Sequence, residues 1–155
     1  MAQVLRASRS RTAAVFVLCC LLLFSGFATD QARAGAAARN RAEMLQLTNE
    51  AREKKDRDAL ELDQQLSKYA VRHSRQMANG GELFHTSDLG AKLKGRNWSA
   101  AGENVGVGSS LVDLQAAFMG SKGHRANILS EDYDHTAIGV VQSDGNFWVT
   151  VIFYG

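Results

Sequence analysis

An uncharged run, Ala13 to Phe27, decides how much of this 155-residue chain can fold as a domain. Arg6, Arg9 and Arg11 precede it with no acid among them, and the small-x-small sequence Ala32-Arg33-Ala34 follows. A basic region, an apolar stretch and a small-residue site together read as a secretory signal peptide over residues 1–34, cut after Ala34. The competing reading is an uncleaved anchor. The run is shorter than the roughly 20 apolar residues a spanning helix needs, which favours cleavage. A lipid-modified cysteine would have to be Cys19 or Cys20, and Val17-Leu18 before them is the wrong context.

Setting residues 1–34 aside changes the charge and the redox chemistry. The whole chain has 18 Lys+Arg and 16 Asp+Glu, but four of the arginines and one aspartate lie in the signal. What remains has 14 basic and 15 acidic side chains, a net charge near −1. The excess of base belongs to export and gives no argument for nucleic-acid binding. Both cysteines also lie in the signal, so the mature domain forms no disulfide although export would permit one. One domain with one core fits the remaining length.

Residues 35–40 read as an Ala/Gly linker and residues 41–155 as the domain. Asn40 is placed to cap a helix starting near Arg41, with Glu43 in its first turn and Met44, Leu47 and Ala51 on one face. The charge run Arg52 to Asp58 reads as a solvated end. A second helix is expected over Ala59 to Asn79, with Leu62, Leu66, Tyr69, Ala70, His73 and Met77 as its stripe. Gly80-Gly81 stops it. Glu82 to Gly102 reads as a long loop anchored by Trp98, with one short helix over Ser87 to Lys94. A short strand over Gly102 to Gly108 precedes two helices, Leu111 to Met119 and one after Ser121. Thr136 to Gln142 and Asn146 to Phe153 are strands joined by Ser143-Asp144-Gly145. Helices first and strands late make this α+β with an antiparallel sheet.

Four histidines are candidates for chemistry. His73 lies on an apolar stripe and reads as a core-edge histidine. His135, in Tyr133-Asp134-His135-Thr136, reads as an exposed turn residue. His85 follows a helix stop. His124 opens a helix, where the dipole disfavours the imidazolium and keeps the ring available as base or ligand. Glu103, between Gly102 and Asn104, either faces inward with its charge held by donors or is a solvated loop acid. Two histidines and one glutamate suffice for an open zinc site, but no HExxH or other tight spacing supports one. Ser-nucleophile and phosphate-loop signatures are absent. Gly123 is expected to hold a conformation that a β-branched residue resists.

The order of pieces resembles the CAP superfamily (cysteine-rich secretory protein, antigen 5, pathogenesis-related), in a short cysteine-free form typical of exported bacterial proteins. The matching residues are Leu47-Thr48-Asn49-Glu50-Ala51-Arg52, Leu62 to Leu66 with Ala70, His73, Ser74 and Met77, then His85-Thr86-Ser87 and Gly102-Glu103-Asn104-Val105. Gly123 to Leu129, Ile138-Gly139-Val140 and Trp148 to Gly155 complete the set. The resemblance implies a three-layer α-β-α sandwich around a small antiparallel sheet. It also implies a cleft of two histidines and two acids. His85, Glu103 and His124 match three of these, as candidate metal ligands or catalytic groups. The second acid falls near Ser121, where this chain has no carboxylate.

Three functions follow from the resemblance. One is a binding module for a lipid, another apolar ligand or a cell-envelope component, with zinc or another divalent cation in the His/Glu cleft. Another is a metal-assisted or His/Glu-based peptidase or esterase. The third is a structural or interaction domain with a residual cleft. None involves nucleic acid, and membrane contact is expected only through an uncleaved signal.

Overall fold

The structure, a computed structural model, describes residues 13–155, with side chains from Gln31 onward. The signal-peptide expectation for Met1 to Arg11, and for the apolar side chains after it, lies outside the described residues. No helix among the described residues is long and apolar enough to cross a membrane. The chain divides into one unit ending at Ala36 and a second, Ala37–Gly155. The backbone is helical over Ala13–Glu53 (α1). The expected linker, residues 35–40, is therefore helix. Its three alanines are the strongest helix formers available, so Asn40 is not a cap and Glu43 is not in a first turn.

The second unit is organised by a four-stranded sheet. Its strands are β1 (Glu61–Leu62), β2 (Ala101–Gly108), β3 (His135–Ser143) and β4 (Asn146–Tyr154), in the order β1-β3-β4-β2. β3 and β4 form a hairpin whose turn residues, Asp144 and Gly145, both have positive φ (49° and 77°). That is the two-residue turn whose twist matches the strands, and Ser143 pairs with Asn146 rather than joining the loop. β2 lies antiparallel on β4 at the sheet edge. β1 pairs parallel with β3, so the sheet is mixed where an all-antiparallel one was expected. The chain leaving α1 meets the start of β3: Glu61 N–H donates to Asp134 O (2.8 Å) and Asp63 N–H to Thr136 O (2.8 Å).

Helices cover both faces, as the three-layer expectation requires. α2 (Gln64–Gly80) begins where Asp63 Oδ1 accepts from Leu66 N–H at 2.8 Å. The cap, together with β1, places its start later than the expected Ala59. Gly81, in the left-handed region at φ 67°, ends it. Leu66 and Ala70 of α2, with Leu93 beside α3 (Leu89–Lys92), pack on Ala137, Ile152 and Tyr154. On the other face lie the C-terminal part of α1, α4 (Leu111–Gly120, capped by Ser110) and α5 (Lys122–Leu129). Met44, Leu114, Phe118 and Ile128 meet Ile138, Val140, Val149, Val151 and Phe153 there. The period-2 alternation along β3 and β4 divides the two cores.

Two further residues depart from the sequence reading. Arg52, assigned to a solvated charge run, is 2% exposed. Its guanidinium donates to four carbonyls: Asp58 O (2.6 Å), Ile128 O (2.9 Å), Ser130 O (2.8 Å) and Tyr133 O (3.1 Å). Five donors in a fixed fork suit that task, which ties the end of α1 to the α5–β3 connection. Gly123 is ordinary helix, and a Cβ there would meet nothing within 4 Å. The position that resists a side chain is Gly139, whose Cβ would lie 2.1 Å from the carbonyl carbon of Ala70.

Candidate functional site

The edge strand β2 sends alternate side chains to opposite faces. Glu103 stands opposite Ile152 and faces the α2 layer, while Asn104 stands opposite Val151 and faces α5. Glu103 is the inward acid, not a solvated one: its side chain is 5% exposed. Its Oε2 accepts from His85 Nδ1 at 2.8 Å and from Thr86 N–H at 2.9 Å. Oε1 accepts from the Thr86 hydroxyl at 2.6 Å. That hydroxyl has spent its proton on Glu103, so it accepts from Tyr69 OH at 2.9 Å.

This arrangement fixes the His85 ring. With Nδ1 donating to Glu103, Nε2 is directed away from the acid, and the side chain is 61% exposed. An exposed imidazole backed by a buried carboxylate can act as a base or as a ligand.

His73 lies behind the site. Its Nδ1 is 3.9 Å from Glu103 Oε1 and 3.2 Å from Thr150 Oγ1. Ser74 donates to Gly139 O (3.1 Å), which leaves Thr150 to donate to Ser74 Oγ (2.8 Å) and to accept from His73. In the neutral ring the proton is thereby assigned to Nδ1. Nε2 is buried with no partner among the described residues. Burial lowers the pKa of His73; Glu103 opposes that shift and His85 adds to it. The core-edge reading of His73 holds, but the ring also touches the site.

His124 is joined differently. Its backbone oxygen accepts from Asn104 Nδ2 at 3.0 Å, and Asn127 Nδ2 donates to Glu103 O (3.2 Å) and Asn104 Oδ1 (2.9 Å). These bonds fasten α5 to β2. The His124 ring packs on Phe118 with centroids 4.9 Å apart and makes no hydrogen bond to Glu103 among the described residues. Its pKa is lowered by burial and then by His85, whereas the sequence reading invoked the helix dipole. His85 and Glu103 thus form one hydrogen-bonded cluster, with His124 close enough to feel the charge of His85. His135 is elsewhere, bonded to Asp134 and stacked on Tyr154 at 5.0 Å.

An open zinc site takes three protein ligands. Glu103 has both oxygens engaged, leaving two imidazoles, and no group of three His, Cys, Asp or Glu among the described residues is placed to hold a metal.

A four-stranded sheet between helical layers, with an imidazole and a buried acid at its edge strand, defines the class of this protein. Residues 45–153 match the Cysteine-rich secretory protein family (CAP), and the chain belongs to that family. It is 33% identical over 112 residues to the uncharacterized protein YkwD of Bacillus subtilis (strain 168), covering 68% of this chain and 43% of that one. It is similar to an extracellular protein containing an SCP domain from Bacillus anthracis str. Ames: TM-score 0.65, 28% identity, 76% of this chain and 41% of that chain. The crystal structure of NaASP2 with Zn2+ shares the fold at TM-score 0.54 and 16% identity, over 75% of this chain and 78% of that chain. The chain spans less than half the length of the curated relatives it matches.

The sequence does not single out Tyr69 or Thr86 as site residues, and it reads His73, one of the four histidine candidates, as core-edge. Tyr69 and His73 sit four apart on the α2 stripe, and Thr86 adjoins His85, which was the available signal.

Proposed function

We propose that this is an exported binding domain for an apolar ligand of lipid type, carried in a groove between α1 and α4. One observation carries the reading. A hollow of about 270 Å3 is walled by Leu47, Ala51, Val112, Ala116 and Met119, with Glu50, Lys54 and Lys55 also on its wall. Val112 is 56% exposed there. The volume is just under the roughly 300 Å3 at which small-molecule sites begin, room for part of an acyl chain. Gln115 adds a buried Oε1 with no partner among the described residues, an acceptor beside the apolar wall. The N-terminal basic-apolar-small pattern and the extracellular SCP-domain relative support export.

The test is displacement of a fluorescent fatty acid from the full chain by hexadecanoate. Displacement is expected in the wild type and in His85→Ala, and it should be lost in Ala116→Trp, which fills the groove. Absence of displacement, or its persistence in Ala116→Trp, would reject the proposal. A second reading rests on the exposed His85 imidazole backed by Glu103, the pairing of a general base. Ester turnover by the same preparations that disappears in Glu103→Gln would favour it.

A further inference from the structure

We infer that the α2–α3 face carries a second site, for a phosphate ester, separate from the α1–α4 groove and joined to the His85–Glu103 cluster only through Tyr69. The first observation is charge segregation. α2 contains Lys68, Arg72 and Arg75 and no acid, and the segment Leu89 to Trp98 contains Lys92, Lys94 and Arg96 and no acid. Residues 35–155 as a whole sit near −1, and the acids that flank these segments are engaged: Asp63 pairs with Arg96 and Asp88 caps α3.

The second observation is shape. Tyr69, Arg72, Lys92 and Arg96 line an open hollow of about 330 Å3, with Leu66 and Gln65 among its walls. Arg96 is already paired: it donates to Asp63 Oδ2 and to Lys92 O. Arg72 and Lys92 have no carboxylate partner among the described residues. Both instead rest on one ring, Arg72 Cζ 5.9 Å and Lys92 Nζ 5.1 Å from the centroid of Tyr69. The electron-rich phenol ring attracts both cations and keeps them at the rim of the hollow.

The donor geometry selects the ligand. A guanidinium presents two parallel N–H groups to two oxygens, and an ammonium adds a point charge with three donors. A carboxylate offers two oxygens and is used up by the arginine. A phosphate ester keeps further oxygens for Lys92 and carries the charge to balance both, while Leu66 gives its alkyl part an apolar wall.

Two probes separate a soluble ester from a lipid headgroup. The full chain is titrated at low salt with sn-glycerol 3-phosphate, and mixed with vesicles of phosphatidylcholine with and without phosphatidylglycerol. Binding in either arm is expected, weakened on the order of tenfold by Arg72→Ala/Lys92→Ala. The control pair Lys122→Ala/Arg125→Ala, on α5, should bind like the wild type. Uptake of the soluble ester assigns the site to a small anion; uptake of anionic vesicles alone assigns it to a headgroup, and both uphold the phosphate-ester site. If the wild type binds neither probe, or the two double variants weaken binding equally, the inference is lost. Circular dichroism checks the fold; should the alanine pair unfold, Lys92→Gln alone is read in the same way. Retention of phosphate binding by Ala116→Trp keeps this result distinct from that of the α1–α4 groove.

Discussion

The two faces of the central sheet are built on different principles. Beneath α1, α4 and α5 the sheet presents Ile138, Val140, Val149, Val151 and Phe153, and the helices answer with aliphatic and aromatic side chains. Beneath α2 the contact is closer and more polar. Ser67 Oγ accepts from Ile138 N–H (3.0 Å), Ser74 bonds Gly139 O, and Thr150, His73 and Glu103 complete a buried polar layer. Apolar burial on the first face supplies stability in proportion to area. Each group on the second face gains little net stability while paired and costs considerably more when it loses its partner. The His85–Glu103 cluster stands on the second face, where the partners also fix the orientation of the rings. The apolar groove opens on the first, where exposed Val112 extends the same chemistry to the surface.

The largest expected effect tests how closely α2 lies on the sheet. A methyl group at Gly139 would come within 2.1–2.4 Å of the Ala70 carbonyl and Val71 nitrogen, which are backbone atoms that cannot rotate away. Gly139→Ala should cost upwards of about 3 kcal/mol in urea unfolding, at the upper end of overpacking effects. A loss under about 1 kcal/mol would show that α2 is free to lift, and the contrast between the faces would weaken.

The next effect tests whether the apolar face depends on one polar clamp. Arg52→Met keeps a long apolar stem and removes every donor to the carbonyls of Asp58, Ile128, Ser130 and Tyr133. Buried carbonyls without partners cost about 1–3 kcal/mol each before relaxation, so a loss of about 2–4 kcal/mol is expected once solvent reaches some of them. The neighbouring Lys55→Ala should be within about 0.5 kcal/mol of wild type. Equal midpoints for the two variants would return Arg52 to the solvated charge run in which the sequence alone had placed it.

That error shows which parts of this fold are legible from sequence. The hairpin was readable because Asp144-Gly145 and the flanking β-branched residues are local signals. The caps at Asp63 and Ser110 are local too, although the sequence reading starts α2 at Ala59, ahead of its cap. Burial of Arg52 is not local. Its acceptors lie as many as 81 residues away, and a run of charges looks the same whether or not one member turns inward. Gly123 misleads for the same reason, and Gly139 goes unmarked: a glycine's neighbours in space, not in sequence, decide whether a side chain fits. At the site, the adjacency of His85 and Glu103 came from the order of family-like pieces. Thr86, Tyr69 and His73 came from packing, and periodicity had marked Tyr69 and His73 only as core.

The smallest expected effect places the acid sensitivity of the domain. Burial alone would raise the pKa of Asp63, but hydrogen bonds from Arg96, Leu66 N–H and Tyr154 hold it at about 2, below its ordinary 3.8. A carboxyl depressed in the folded state contributes stability that is complete above about pH 4 and lost as pH falls toward 2, here about 2 kcal/mol. His73 and His124 are lowered from 6.5, chiefly by burial. Below that value the unfolded chain takes up protons that the folded rings resist, so stability also declines as pH falls from 6.5. Two windows result, and unfolding midpoints measured down the pH scale should resolve them. Asp63→Asn should flatten the segment from about pH 4 to 2 and leave the upper one in place, whereas His73→Gln should soften only the upper one. An Asp63→Asn profile that runs parallel to the wild type below pH 4 would mean that the Arg96–Asp63–Tyr154 cluster is not coupled to folding, and that acid acts first on the other face.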